Sequence, residues 1–343
     1  KLVMKYCIGC GACETFCPNE AHPYGLILDR LHERYLERGL PVRARFLMPT
    51  MRGNFREFVL KRIPKAEREL IERWSEEKPQ GEFLYPGCNF ITLAYLADSP
   101  ALQRLKIAGS LDLCCGEMYY RIGMYEDVEA IGRRLKDYYS RFEIDRMVFV
   151  CPACQNMFEH IYPEHFGIEF DFEKLSLWRW ILEHRDDFRF SPIGLDVAIH
   201  DSCHGRMLGE PWQRDVREVL ELCGVSVRES ADELNLGHCC GIGACTVRLS
   251  VADVVKEGNR ALKAAKKTRA SELAVYCGGC LLTLSAVELA SPFHIPIHHI
   301  LDYITLSLGA HPAIRHRERA AKMLWGLILN VAPKYLSRRW FRL

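Results

Sequence analysis

A pattern of five cysteines occurs twice in this chain. The first copy is Cys88, then Cys114-Cys115-Gly116, then Cys151-Pro-Ala-Cys154; the second is Cys203, then Cys239-Cys240-Gly241, then Cys277-Gly-Gly-Cys280. Between the pair and the closing Cys-x-x-Cys lie 35 residues in the first copy and 36 in the second. Agreement that close implies a duplicated unit, so the chain must fold as two similar halves that each gather five thiols. Adjacent cysteines project in different directions from an extended chain. Both reach one centre only if the chain turns there, and the glycine after each pair permits the turn.

The flanking residues say how each set is presented. "RMVFV" leads into Cys151 and "ELAVY" into Cys277, each a short apolar, β-rich run, and "DVAIH" runs a further strand toward Cys203. Helical patterns follow the Cys-x-x-Cys motifs in "QNMFEHIY" and "LLTLSAVELA". The order strand, cysteines, helix puts each Cys-x-x-Cys at a helix N-terminus, where free amides and the positive dipole end stabilise thiolate and cluster charge. Alternating strands and helices predict an α/β architecture with sites at the carboxyl ends of the strands. "EEKPQGE" supplies a boundary, so the first unit is expected to begin near Phe83 and to span 83–190, with the second at 191–310.

A different run opens the chain. Cys7, Cys10, Cys13 and Cys17-Pro18 follow Cys-x2-Cys-x2-Cys-x3-Cys-Pro, the spacing of a bacterial ferredoxin and an unusual one for zinc. It predicts a [4Fe-4S] cubane cluster, with Gly9 and Gly11 letting backbone amides approach the sulfides. The cysteine before proline serves the other cluster in two-cluster ferredoxins, and here the run is single. Cys17 therefore either folds back locally or serves a cluster whose other ligands lie elsewhere. Residues 1–30 are expected to be this ferredoxin-like segment. Residues 31–82 are expected to be a helical connector with solvated, charged faces, from the patterns in "NFREFVLKRI" and "AERELIERWSEE".

Composition narrows the chemistry. Of sixteen cysteines, fourteen belong to these three runs, whereas disulfide frameworks spread cysteines to staple distant loops; the thiols read as ligands in a reducing compartment. Cys223 and Cys245 match no ligand position and are expected to be buried spare thiols. Five thiols are one more than a cube or a tetrahedral zinc can use, and a cluster opened out from the cube, with a thiolate bridging two irons, accommodates them. Two zinc sites are the alternative. At 49% hydrophobic and 26% charged, the 343 residues can bury a full core. No apolar run approaches the roughly 18 residues of a spanning helix, and "KLVMKYCIGCG" lacks the apolar stretch of a secretory signal.

The two units resemble the cysteine-rich CCG domains of the catalytic subunit of heterodisulfide reductase and its relatives, over about residues 83 to 305. A ferredoxin run followed by two such units resembles the fused, membrane-associated form of that subunit, and also the iron-sulfur subunits of glycolate, lactate and anaerobic glycerol-3-phosphate dehydrogenases. The resemblance implies one noncubane [4Fe-4S] cluster on Cys88, Cys114, Cys115, Cys151 and Cys154, and another on Cys203, Cys239, Cys240, Cys277 and Cys280, with a disulfide cleaved between them. This chain departs from the pattern in two ways. Twenty-five residues separate Cys88 from Cys114 against 35 between Cys203 and Cys239, and the ferredoxin run is single where the relatives usually carry two.

Beyond the ligands, His200, His204 and His238 flank the second set where the first has Tyr85, Asn89 and Leu113. Histidine titrates near neutrality, so His204 and His238 are candidates for proton delivery beside Cys114, Cys115, Cys239 and Cys240. Arg121 and Arg206 follow motif cysteines and can hold an anionic group, although solvent exposure is the default expectation for each. "GIGAC" lacks phosphate-loop order, and neither nucleotide nor nucleic acid is expected as a partner. From Arg315 onward, eight Lys or Arg against one Glu give a net +7, leaving −5 in the first 314 residues. With the short apolar run Met323 to Leu329 and several aromatics, the tail 311–343 is expected to lie at a membrane surface or on a membrane subunit, or to pack on its own domain. The expected whole is a cytoplasmic iron-sulfur redox subunit, peripheral on the inner face of a membrane. Its expected partners are iron-sulfur, flavoprotein or cytochrome b-type subunits, and its substrate a small or protein disulfide. The alternatives are an electron conduit from a flavoprotein dehydrogenase to a quinone or cytochrome, and a zinc-binding scaffold.

Overall fold

In the computed structural model, residues 6–19, 21–230 and 237–343 are described; the first five residues of the ferredoxin-like segment and residues 231–236 lie outside them. The connector contributes β1 (Leu40–Pro41). The first unit holds β2 (Gly81–Tyr85), β3 (Lys106–Ile107), β4 (Ile144–Phe149) and β5 (Glu173–Ser176). The second holds β6 (Leu195–His200), β7 (Val225–Arg228), β8 (Glu272–Val275) and β9 (Ile297–His299). Each unit forms a four-stranded parallel sheet, in the orders β3-β2-β4-β5 and β7-β6-β8-β9. The orders are equivalent strand for strand, as duplication requires.

In each sheet the strand order reverses between the unit's first and third strands, and an open α/β sheet has its crevice at that switch point. Register brings the ends level: Tyr85 pairs with Phe149, and His200 with Val275. The residues that follow these strands are Pro86-Gly87-Cys88 beside Val150-Cys151, and Asp201-Ser202-Cys203 beside Tyr276-Cys277. Topology alone therefore delivers the lone cysteine and the Cys-x-x-Cys of each set to one crevice.

Strand periodicity divides the core. Along β4, Met147 and Phe149 enter a cluster with Phe83, Tyr85, Phe158 and with Leu28 and Leu31 of the helix Pro23–Arg38. Val148 and Val150 point the other way, into a cluster shared with Val197, Ile199, Val275 and Leu281 of the second unit. Both faces are covered, which is why β4 and β8 read as near-continuous apolar runs. Each fully buried side chain of this size contributes about 1.5–3 kcal/mol, so the shared cluster helps hold the two halves together.

Three expectations change. The helix Pro23–Arg38 runs through residue 30, so no boundary separates ferredoxin segment from connector there. The first strand of the first unit begins at Gly81, two residues before Phe83. The connector is not simply solvated: Arg56 on the helix Phe55–Leu60 is 2% exposed, and Trp74 on the helix Lys65–Glu76 is buried. The tail docks on the chain itself. Its helix His316–Asn330 packs against the helices Gly278–Glu288 and Phe55–Leu60, with Gly326 allowing close approach where a Cβ would lie 2.8 Å from Phe46 and 2.9 Å from Phe58. Buried Arg319 pairs with Glu67 at 2.5 Å, and β10 (Trp340–Phe341) pairs antiparallel with β1. The opposite face of that helix leaves Trp325, Ile328 and Leu329 exposed. Among the described residues no helix is long and apolar enough to cross a membrane.

Candidate functional site

The first set is assembled by tight turns. Gly87 sits at φ 63°, and a Cβ there would lie 2.8 Å from Cys154 Sγ, so only glycine lets the strand end this near the thiol. Gly116 at φ 76° turns the chain after Cys114-Cys115 and opens the helix Glu117–Ile122, while Cys151 caps the helix Pro152–Asn156. Cys88, Cys114, Cys115, Cys154 and Cys151 lie close enough for each thiol to act on the titration of the next. Cys115 donates to Cys154 across 3.4 Å when protonated. The bonds from Cys114 and Cys154 favour the thiolate of Cys115 and draw it down to about 6 against the burial that opposes it, while Cys114, bonded to Cys115, is pushed up to about 12.

The second set repeats the arrangement. Cys203 opens the helix Cys203–Met207, Gly241 at φ 106° turns the chain after Cys239-Cys240 into the helix Ile242–Arg248, and Cys277 caps the helix Gly278–Glu288. Cys240, the equivalent of Cys115, is held well below the usual thiol range by bonds from Cys239 and Cys280, with His200 adding a further bond. Cys277 is held down by bonds from Cys151 and Cys280. The contact between Cys151 and Cys277 joins the two sets.

Nine of the ten expected ligands, all but Cys239, wall a single cavity of about 170 Å³ at the junction of the units. Among the described residues no three donors converge so as to hold one metal ion. The thiols ring a space instead, and nine soft sulfur donors around a space suit iron-sulfur clusters better than zinc. Cys245 also reaches this wall, pushed up to about 12 by burial; Cys223, pushed up to about 11 by burial, accepts a bond from Ser307 Oγ at 3.3 Å.

A buried polar network crosses the junction. Arg121 donates from Nε to Glu117 Oε1 at 2.5 Å, from Nη1 to Gly9 O at 3.1 Å and from Nη2 to Cys203 Sγ at 3.4 Å. His204 Nε2 lies 2.8 Å from Glu117 Oε1, and its Nδ1 lies 3.1 Å from Asn156 Nδ2. Burial raises the Glu117 pKa, but Arg121 and His204 outweigh it and hold the carboxyl at about 2. Arg121 and Arg206 are 2% and 3% exposed, so the expectation of solvent exposure fails for both. A second buried arginine serves the first set: Arg56 donates to Asn89 Oδ1 at 2.8 Å and to Leu47 O at 3.0 Å, and its charge acts on Cys88 and Cys114. Sequence reading missed Glu117, Asn156 and Arg56. The one local signal was Glu117, an acid in the first turn of the helix that follows a motif glycine. His204 lines the cavity; His238 is half-buried and stands apart from the cavity wall.

The ferredoxin run docks chiefly on the second unit, with Arg121 of the first unit reaching it at Gly9 O. Cys7, Cys10 and Cys13 lie close enough to raise one another's charge cost, and Gly9 N–H donates to Cys7 Sγ at 3.3 Å. Cys17 Sγ accepts from Ala21 N–H at 3.2 Å. The helix Ala12–Thr15 packs on the helix Cys203–Met207. A Cβ on Gly9 would lie 2.8 Å from Gly243 O, Arg248 donates to Cys7 O at 3.0 Å, and Arg34 donates to Val247 O at 2.9 Å.

Comparisons with known proteins agree with this geometry. The cysteine-rich (CCG) domain family matches residues 84–159 and again 197–285, and the 4Fe-4S binding domain family matches residues 2–21. An uncharacterized iron-sulfur protein of Methanococcus maripaludis is 21% identical over 80% of this chain and 55% of its own length. Another, from Methanocaldococcus jannaschii, is 21% identical over 69% and 48%. One subunit of the fumarate reductase (CoM/CoB) of Methanothermobacter marburgensis is 20% identical over 88% and 61%. The chain thus spans about half to three-fifths of the length of the curated relatives it matches. A hypothetical protein from Helicobacter pylori, known as a crystal structure, aligns with 78% of this chain and 58% of its own at TM-score 0.47 and 10% identity.

Proposed function

This chain is an iron-sulfur redox protein made of two CCG cysteine-rich domains behind a 4Fe-4S binding domain, and from that premise we propose that it reduces a disulfide, or forms one in reverse, in the cavity its two cysteine sets share. The observation that carries this reading is the common cavity, with the sets meeting at Cys151 and Cys277. Cys88, Cys114, Cys115, Cys151 and Cys154 hold one noncubane [4Fe-4S] cluster, Cys203, Cys239, Cys240, Cys277 and Cys280 hold the other, and Cys7, Cys10, Cys13 and Cys17 hold a cubane. Such a cluster, when bound, supplies one electron and an iron that a substrate sulfur can reach. The overall step takes RSSR′, two electrons and two protons to RSH and R′SH, and a cluster in each set would let the two electrons arrive from opposite sides.

The chain's own groups supply the rest. His204 lines the cavity with Nδ1 accepting from Asn156 Nδ2 and Nε2 held by Glu117 Oε1, so its ring is fixed, and it hands a proton to a leaving sulfur only when Nε2 parts from Glu117. Arg121, bonded to Cys203 Sγ and Glu117, holds the second set and the first unit in register. The remaining wall is mainly apolar, including Phe55, Leu282 and Leu327, and keeps water from the reacting sulfurs. Partner subunits of iron-sulfur, flavoprotein or cytochrome b type complete the electron supply, a reading supported by the relative that is itself part of a reductase.

One observation favours a second reading. The ferredoxin run lies against the second unit, as an electron conduit between a dehydrogenase and a quinone or cytochrome needs. Electron paramagnetic resonance of the iron-loaded protein separates the two. Under disulfide chemistry, a thiol or disulfide perturbs the oxidised spectrum, and Cys115→Ala and Cys240→Ala each abolish disulfide turnover while the Cys7 site stays reducible. A spectrum indifferent to every disulfide tested leaves the conduit; turnover that survives loss of the first set leaves a single active cluster.

A further inference from the structure

Arg206 is a buried cation whose hydrogen-bonding capacity is mostly unspent. It lies on the helix Cys203–Met207, 3% exposed, and Nη1 donates to Asp201 O at 2.9 Å. Its Nε and Nη2 are buried and have no hydrogen-bond partner among the described residues. Arg121 and Arg56, by contrast, engage both terminal nitrogens. A guanidinium in this position is costly unless an anion answers it. The groups whose charge acts on Arg206 are the thiol of Cys203, the hydroxyl of Tyr276, and the thiols of Cys10 and Cys239. Cys10 belongs to the ferredoxin run, while Cys203 and Cys239 belong to the second set. The helix Cys203–Met207 that carries Arg206 packs on the helix Ala12–Thr15 of the ferredoxin run, so Arg206 lies beside two sites that become anionic together when their cysteines bind iron and sulfide.

The first unit has no equivalent at this position; the buried cation beside its cysteines, Arg56, comes from the connector and has both terminal nitrogens engaged. The residue three positions after Cys88 is Ile91, and the helix of the ferredoxin run packs on the second unit. Net charge and hydrogen bonds to sulfur are what tune an iron-sulfur potential, and a fixed positive charge with two free N–H groups favours the reduced, more negative state on either side. We propose that Arg206 raises the reduction potentials of the ferredoxin-type site and of the second cysteine set together, making the second set the port through which electrons cross between the N-terminal segment and the paired cysteine-rich units. This rests on the reading that clusters occupy these cysteines. The step is a single electron transfer in which no bond forms or breaks.

The test is a redox titration of the iron-loaded full chain without substrate, followed by electron paramagnetic resonance. Cys115→Ala and Cys240→Ala backgrounds make the second and first sets separately visible. Arg206→Gln should lower the midpoints of the Cys7 run and the second set by at least tenfold in the reduced-to-oxidised ratio, about 59 mV for a one-electron step. The first set should not move, and Arg206→Lys should keep the wild-type values. If Arg206→Gln sheds iron from the two flanking sites while Arg206→Lys retains it, charge is again the cause and the coupling stands. Full iron with unmoved midpoints overturns the proposal, as does a first set that shifts equally or a lysine variant that behaves like glutamine. Wild-type protein that binds no iron overturns this inference together with the cofactor reading. Shifted midpoints without any response to disulfide overturn only the disulfide chemistry.

Discussion

Replacing the glycine after each cysteine pair by alanine probes the two turns with one chemical change, and the structure assigns the changes unequal costs. Gly116 sits at φ 76°, ψ 4°, close to the left-handed well, where an L-residue costs about 1–2 kcal/mol. Its added Cβ would meet Tyr162 Oη at 3.3 Å and Ile131 methyls at 3.4 Å, side-chain atoms able to give a few tenths of an ångström. Gly241 sits at φ 106°, ψ −20°, further from the well, where strain approaches about 3 kcal/mol. Its Cβ would lie 2.5 Å from Val254 O and 2.8 Å from Val254 Cα, backbone of the helix Val251–Lys267 that cannot rotate aside, which adds about 1–3 kcal/mol of overpacking. Gly241→Ala should therefore cost about 4–6 kcal/mol and Gly116→Ala about 1–2 kcal/mol, against the roughly 5–15 kcal/mol that holds a domain folded. Relief at residue 241 must push that helix away from Cys240, so the expected second symptom is loss of iron from the second set only. Urea unfolding with iron per chain measures both quantities. Equal costs, or the greater loss at Gly116, would refute the reasoning.

Two further outcomes follow from the tail and from a buried histidine. Trp325→Ser with Leu329→Ser alters only exposed positions, so stability should change by less than about 0.5 kcal/mol per site while co-sedimentation with anionic vesicles falls; unchanged sedimentation removes the membrane role of that face. Burial holds His316 down to about 4, among Asp302, His298, Arg317 and Glu288, whereas the unfolded chain takes the proton near its ordinary value of about 6.5. The unfolded state then binds more protons between those values, so stability is lost as pH falls from about 6.5 toward 4 and is insensitive to this group above that window. His316→Gln should remove up to about 3 kcal/mol of that loss, and identical losses in the two proteins between pH 7 and about 4.5 would show that burial does not act as described.

What could be read from the chain was whatever each motif carries within itself. The strand-to-cysteine-to-helix order around Cys151 and Cys277, and the turn after Cys115 and Cys240, depend on residues a few positions apart, and the structure reproduces them. The buried arginines were not legible, because their partners are remote in sequence. Arg121 reaches Cys203 across 82 residues and Gly9 across 112, while Arg319 finds Glu67 across 252. In "NFREFVLKRI" an arginine between apolar residues has the pattern of a solvated helix face. Only the packing of that helix against the first unit makes Arg56 a buried neighbour of Cys88. The basic, aromatic tail misleads for a related reason, since its pattern is the same whether one face meets lipid or the helix Gly278–Glu288.

The two units differ most where their function would. At the position after the lone cysteine stand Asn89 and His204, and two residues further stand Ile91 and Arg206. The sequence displays both differences openly, yet a histidine and an arginine near a cysteine have many ordinary explanations. The fold removes them by placing the ferredoxin run against the helix that carries His204 and Arg206, and by turning Glu117 and Arg121 from the opposite unit toward the same point. A duplicated unit with identical surroundings would make two interchangeable cysteine sets. Here one set faces the N-terminal segment beside a buried cation and the other faces Arg56 from the connector, so duplication supplies the symmetric cavity and the added segments make its two ends chemically unequal.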